Sequence, residues 1–455
     1  MELNIRKVQL AFITVFIVLG AWLGYWVVFK GEALSNDARN PRHIIAELRI
    51  ARGRILDIYG NPLVTSVLEN NMYRREYSAP LSAAQTIGYM STRFGKTGLE
   101  KAYDTELSGS TRAHRGLLSG LLQPPEAGLD IKTTLDPKLQ KAAEEGLAGN
   151  SGAVVVLDAD DGAILVAAST PYFDPNNMTE DIFQDVKGEP LFNRAFQGRY
   201  PPGSAFKPLI LAAALETNSV SVNQIFQDNS SYTVDGFTIS NFQNSSHGRL
   251  DLNGALTYSS NVVFVQVGLA TGGAAIRALA ERIGMLETPQ LPVPAAASHL
   301  PSLRDLSSPR AVAQISIGQG EAWVTPLHMA MLAATIANGG YAVQPYLIES
   351  VGEQIVKPSV AKNRVISAGV VQYVAEAMRS VVTNGSGRRA AVSGVAVSGK
   401  TGTAQNPLGK DHAWFIGFAK VKDRTLAVAA VVENAGQGGH QAAPIVATII
   451  QAAKE

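Results

Sequence analysis

The chain predicts a mixed α/β fold of the α+β kind: an antiparallel sheet sandwiched by helices, behind a membrane-spanning helix and a small mixed domain. Three stretches carry this reading. Residues 153–157 and 163–168 are apolar, strand-like runs flanking the turn residues 158–162, a hairpin signal. Much later, residues 414–418, 426–432 and 445–453 read as strand, strand and helix. Residues 8–29 hold no charge, and Gln9 and Thr14 are their clearly polar members, so this segment is long and apolar enough to cross a bilayer core.

In chain order, residues 1–7 form a short cytoplasmic tail and residues 8–29 a signal anchor. The span ends in Trp26, Val27, Val28 and Phe29 rather than in a small-residue cleavage site, which points to an uncleaved anchor. Arg6 and Lys7 precede it while Lys30, Arg39 and Arg42 follow, so the positive-inside count is nearly balanced. The bulk of the chain is placed outside the cell by its chemistry. Residues 30–128 mix short strand-like and turn-rich stretches, such as 52–64 and 94–109, and read as a pedestal or docking domain. Residues 129–455 form the main domain, opening with a strand-like segment through Ile131 and a helix over 137–147. The Pro-, Ala- and Ser-rich stretch 289–308 reads as a surface loop, and no internal repeat is visible.

Composition narrows the function. The 455 residues are 46% hydrophobic and 17% charged, as in a folded protein of two or three domains. Lys and Arg number 39 against 38 Asp and Glu, which gives no general reason to bind nucleic acid. The absence of cysteine removes disulfides, thiolate nucleophiles and sulfur-ligated zinc. The seven histidines never fall within a helical turn of one another, so no metal site is expected from them, nor any cofactor.

Chemistry concentrates in three short patterns. Ser204 and Lys207 stand one turn apart where Pro201, Pro202 and Gly203 give way to the apolar run 209–215, the start of a helix. Ser259, Ser260 and Asn261 follow, then Lys400, Thr401, Gly402 and Thr403 after the alternating stretch 395–398. Each pattern occurs twice, so context must choose. Ser359–Lys362 has no apolar helical run after it, Ser221–Asn223 is a bare second SxN, and Lys96–Gly98 lies in a glycine-flanked loop ahead of every nucleophile. Serine needs a base to become a nucleophile. Lys207 supplies one if desolvation and the neighbouring cation Lys400 lower its pKa. Pro208 lacks an N–H, which leaves the Ser204 carbonyl without its i+4 partner and predicts a tight first turn. An extended Lys400–Thr403 segment suits an extended peptide: the lysine and threonine hydroxyls can hold a terminal carboxylate, and Gly402 permits close approach.

With its three patterns in this order, the whole chain resembles a short class B penicillin-binding protein, a peptidoglycan D,D-transpeptidase. Arg52, Gly53, Arg54, Ile55 and Asp57 are similar to the family's post-anchor motif, and Gly98, Leu99, Glu100 and Tyr103 to its pedestal motif. Asn193, Arg194, Tyr200, the Gly318–Gln319–Gly320 turn, Thr325, Pro326 and the run from His412 to Phe415 also resemble family segments. Two departures are Ala205 in place of a frequent threonine, and Ile58 and Tyr59 in place of the usual arginine. The chain stops soon after its last helix, without the further C-terminal modules of some relatives.

The resemblance implies that Ser204 forms an acyl-enzyme on a D-Ala-D-Ala stem peptide and is acylated by β-lactams. It makes Ser259 the proton relay to the leaving amine and Asn261 the residue that orients substrate or Lys207. It places the oxyanion hole at the backbone N–H groups of Ser204 and Thr403. It also implies a partner, a multi-spanning glycosyltransferase of the shape, elongation, division and sporulation (SEDS) type, reached through the anchor, whose Gly20 and Gly24 form a small-xxx-small pair, and through the 31–128 spacer. Two other readings stay open at this point. A β-lactamase or carboxypeptidase would share the triplets, although the class A water-activating ExxLN pattern is absent between Asn261 and Lys400. A penicillin sensor would need only the acylation step. His247 reads either as a cleft or a surface residue, Gln319 as rear wall or turn, and Trp414 as core.

Overall fold

The central sheet has five strands in the order Val397–Ala404, His412–Val421, Arg424–Val432, Gly152–Asp158, Ile164–Thr170, every neighbour antiparallel. Along Gly152–Asp158, Ala153, Val155 and Leu157 point into one core while Val154 and Val156 point into another. Both faces are therefore covered, and the strand is a continuous apolar run instead of an alternating one. Pro137–Leu147 and Gly438–Lys454 cover one face, and Pro326–Ala337 covers the other. The computed structural model describes residues 2–30, 48–109, 127–358, 363–406 and 409–455. The second SxxK at 359–362, together with Arg39, Arg42, His43 and His114, lies outside the described residues.

The last helix begins at Gly438, not at Ile445 as its sequence pattern suggests. Gly438, Gly439 and Pro444 are poor helix formers that hide its first turns. The reason for glycine is tertiary, because a Cβ at Gly438 would lie 2.0 Å from the Trp414 carbonyl oxygen. A small residue lets the helix cross the sheet at that point.

A second sheet supports the first. Its order is Gln354–Ile355, Ile348–Val351, Ile131–Thr133, Ile55–Leu56, Pro62–Glu69, Met72–Tyr77, so strands from both sides of residue 128 share one ladder. Ile55 pairs in parallel with Ile131. Beside it Glu100, fully buried, accepts from Arg52 Nε at 2.7 Å and Arg75 Nη2 at 2.6 Å. A buried carboxylate requires such partners. Lys96, of the second KTG, is tied to Asp104 at 2.8 Å and is part of this structural cluster. Tyr59 donates to Asp136 Oδ2 at 2.7 Å, and Asp136 Oδ1 caps the helix Pro137–Leu147 through the N–H groups of Lys138 and Leu139.

Helix Glu2–Tyr25 continues into a wider turn, Trp26–Lys30. Ile5–Lys30 is the one continuous helix among the described residues long and apolar enough to cross a membrane, with a mean hydropathy of 2.2 and no burial.

Candidate active site

The first wall of the site is the turn Gly203–Phe206, a 3₁₀ turn, running into the α-helix Lys207–Glu216. The predicted effect of Pro208 is visible: the Ser204 carbonyl is taken by the Lys207 N–H, an i+3 bond that tightens the turn. The helix is buried from Lys207 to Leu215 and serves as a core helix. Ser204 stays half-buried at its mouth, and no hydrogen bond reaches its hydroxyl from the described residues. Lys207 is fully buried, with Nζ 5.3 Å from the centre of the Phe264 ring.

The second wall is the turn between helices Leu252–Thr257 and Asn261–Thr271. Ser259 sits there at φ 60°, a left-handed conformation that a non-glycine residue keeps only when its surroundings enforce it. Ser260 Oγ caps the second helix by accepting from the Val263 N–H at 3.1 Å. Lys207 Nζ donates to the Ser259 carbonyl at 2.7 Å and to Asn261 Oδ1 at 2.8 Å, and lies 3.3 Å from Ser259 Oγ. From the other side Lys400 Nζ donates to the same Oγ at 2.9 Å and to the Thr401 carbonyl at 2.9 Å. One hydroxyl thus bridges two amines.

The third wall is Val397–Ala404, the sheet's edge strand, in which Lys400 is opposite Ile416 and Thr403 opposite Ala413. Its outer edge meets the nucleophile turn. A Cβ at Gly203, whose φ is +53°, would lie 2.6 Å from the Thr403 carbonyl oxygen. One at Gly402 would lie 2.7 Å from the Pro202 carbonyl oxygen and 3.0 Å from Ala205 Cβ. Glycine at 402 therefore lets the turn bearing Ser204 seat against the strand. Trp414 is fully buried and donates through Nε1 to the Pro201 carbonyl at 3.0 Å, so it is core and also holds the approach to the nucleophile.

Burial decides the electrostatics. Lys207 is held well below the ordinary lysine range, first by desolvation and then by the charge of Lys400. Lys400 is pushed down to about 7 by desolvation. A lowered proton affinity favours the neutral form of the Lys207 amine, whose lone pair can accept a proton.

These walls enclose a cleft of about 840 Å³, lined by Ser204, Ser259, Asn261, Thr401, Thr403 and Gln319 among others. Gln319 faces this space. His247 is exposed and stacks on the Tyr258 ring with centroids 4.8 Å apart, a surface role. Ser221 and Asn223, the second SxN, lie exposed elsewhere. Behind the strand, Arg194 Nε and the Tyr200 hydroxyl both donate to Glu433 Oε1, at 2.9 and 2.7 Å, and the Tyr200 ring packs edge-on against His412 and Trp414. Sequence reading did not find Ser386, whose hydroxyl is 2.6 Å from that of Thr401, or Asn241, which accepts from the Asn261 N–H at 2.7 Å. Both arrive by tertiary contact, with no local motif to announce them.

Known proteins resemble this chain along its whole length. Residues 152–451 match the penicillin binding protein transpeptidase domain, and residues 52–119 match the penicillin binding protein A dimerisation domain. The chain is 33% identical to the peptidoglycan D,D-transpeptidase PbpA of Mycolicibacterium smegmatis, over 100% of this chain and 99% of that protein. Among solved structures, penicillin-binding protein A from M. tuberculosis as an imipenem acyl-enzyme complex is 32% identical, with a TM-score of 0.80 over 90% of this chain and 100% of that one. The D,D-transpeptidase domain of a peptidoglycan glycosyltransferase from Eggerthella lenta is 34% identical, with a TM-score of 0.79 over 89% of this chain and 98% of that one. A serine, two buried amines and an open strand edge are what those relatives' named chemistry calls for, and with homology running the length of the chain this protein belongs to the class B penicillin-binding proteins.

Proposed function

We infer that the protein is a peptidoglycan D,D-transpeptidase, a serine acyltransferase that crosslinks stem peptides. The observation that carries this is Ser259 Oγ, held between the buried amines of Lys207 and Lys400 beside the half-buried Ser204. Ser204 Oγ attacks the carbonyl between the two terminal D-alanines, and its proton passes to neutral Lys207. The oxyanion that forms is received by the N–H groups of Ser204 and Thr403, donors typically worth about 3–4 kcal/mol each in such a site. The adjacency of Gly203 to Thr403 supports that pairing. As the C–N bond breaks, a proton reaches the departing D-Ala amine through Ser259, leaving an ester on Ser204. An acceptor amine from a neighbouring stem peptide then attacks the ester, and Ser204 regains its proton. Asn261 holds Lys207 in place, while Lys400, Thr401 and Thr403 hold the substrate's terminal carboxylate along the strand containing Gly402.

A β-lactam presents the same amide with its nitrogen tethered, so the leaving group cannot depart. Labelled penicillin is therefore expected to form a stable adduct on Ser204, mapped by peptide mass. Lys207→Ala should slow acylation by about 10²- to 10⁴-fold with folding retained. An adduct elsewhere, an unslowed Lys207→Ala variant, or an adduct rapidly hydrolysed in buffer would overturn this reading. The Ile5–Lys30 helix anchors the protein with its N-terminus in the cytoplasm and the catalytic domain outside. There it meets a multi-spanning SEDS-type glycosyltransferase that supplies glycan strands; domain limits near 30 and 129 separate the anchor, pedestal and catalytic parts.

A further inference from the structure

Asn261 is gripped from behind. Its backbone N–H and that of Val262 both donate to Asn241 Oδ1, at 2.7 and 3.1 Å, while its side-chain Nδ2 donates to the Ser240 carbonyl at 2.8 Å. Together with the Ser260 cap on Val263, side chains take the first three N–H groups of helix Asn261–Thr271. Asn241 is itself buried and donates through Nδ2 to Asp228 Oδ1 at 2.6 Å and to the Ser245 carbonyl at 2.9 Å. Asp228 is fully buried, and its Oδ2 has no hydrogen-bond partner among the described residues.

A cap alone does not need a buried carboxylate, which is costly to desolvate. An ionised carboxylate does have one property an amide lacks, that it only accepts. Asp228 therefore forces the Nδ2 end of Asn241 toward itself and the Oδ1 end toward the helix. The SxN turn, with Ser259 held at its left-handed φ, is built on that orientation.

We propose that Asp228 and Asn241 are positioning residues for acylation, a buried strut that fixes Asn261 and the Ser259 turn against Lys207. The proposal rests on the transpeptidase reading above. The charged groups acting on Lys207 are Lys400, which lowers its proton affinity, and Asp228, which raises it. Removing the Asp228 charge should therefore shift the ascending limb of the acylation pH profile to lower pH.

The test measures penicillin acylation of the full-length protein at Ser204 in Asp228→Asn, Asn241→Asp and the exchanged double variant. Wild-type labelling shows in the same assay that the underlying reading holds. Each single variant is expected to acylate about 10- to 100-fold more slowly, as displacements of this kind do, with the Asp228→Asn limb displaced to lower pH. The double variant restores a donor opposite an acceptor and should recover at least several-fold over Asn241→Asp. Wild-type rates and pH profile in Asp228→Asn would overturn the strut. So would a double variant no faster than the slower single, since two independent losses would then explain the data.

Discussion

At Lys400 a fully buried amine with a proton affinity lowered to about 7 has a consequence for stability as well as for chemistry. Unfolded, this lysine titrates near 10.5, so between about 7 and 10.5 the unfolded chain binds the extra proton and stability rises with pH. Below that window both states are protonated and the full burial cost remains. The urea midpoint of the wild type, relative to Lys400→Met, should therefore climb from pH 7 to pH 10; a gap flat across that range would contradict the assignment. Ser204, Lys207, Ser259, Asn261 and Lys400 were legible because each belongs to a pattern with a local structural requirement, a helix start, a turn or a strand. Asp228, Asn241 and Ser386 were not. Their partners lie 13 to 20 residues away, and nothing in their neighbours' sequence requires them.

Between elements, the seat of the nucleophile turn on the edge strand leaves little slack. Gly402→Ala would place a methyl 2.7 Å from the Pro202 oxygen and 2.9 Å from Trp414 Cβ. Overpacking of this kind costs about 1–3 kcal/mol, and a displaced Ser204 should lower acylation by roughly 100-fold. Thermal melting and penicillin labelling of that variant check both; labelling within a few-fold of wild type would show that the seat is dispensable. The hairpin and the last two strands could be read from sequence, since strands covered on both faces are long apolar runs. The strand-like character of 52–64 could be read too, but not the parallel pairing of Ile55–Leu56 with Ile131, which is set by tertiary structure.

For the molecule as a whole, the parallel ladder between Ile55–Leu56 and Ile131–Thr133 ties the segment that matches the dimerisation domain to the chain that leads into the transpeptidase match. The anchor helix leaves Gly20 and Gly24 open, with nothing in the space a Cβ would take. Close helix approach at such a pair favours a membrane partner. Replacing both glycines by Leu should weaken co-purification with the proposed glycosyltransferase partner and leave Ser204 acylation unchanged; undiminished co-purification would remove this helix from the proposed interface.

Ser259 Oγ receives Lys207 from 52 residues earlier and Lys400 from 141 residues later. No short fragment of the chain contains that triad, and closing contacts so distant in sequence is slow. Penicillin labelling is thus a clock for the completion of folding. During refolding from urea, the capacity to be acylated should return with the slowest tertiary phase and lag behind the helical signal, which rises once local segments form. A nascent chain still lacking Gly438–Lys454, the helix that closes one face of the sheet, should be blind to the antibiotic. The drug's target would then exist only as a finished molecule.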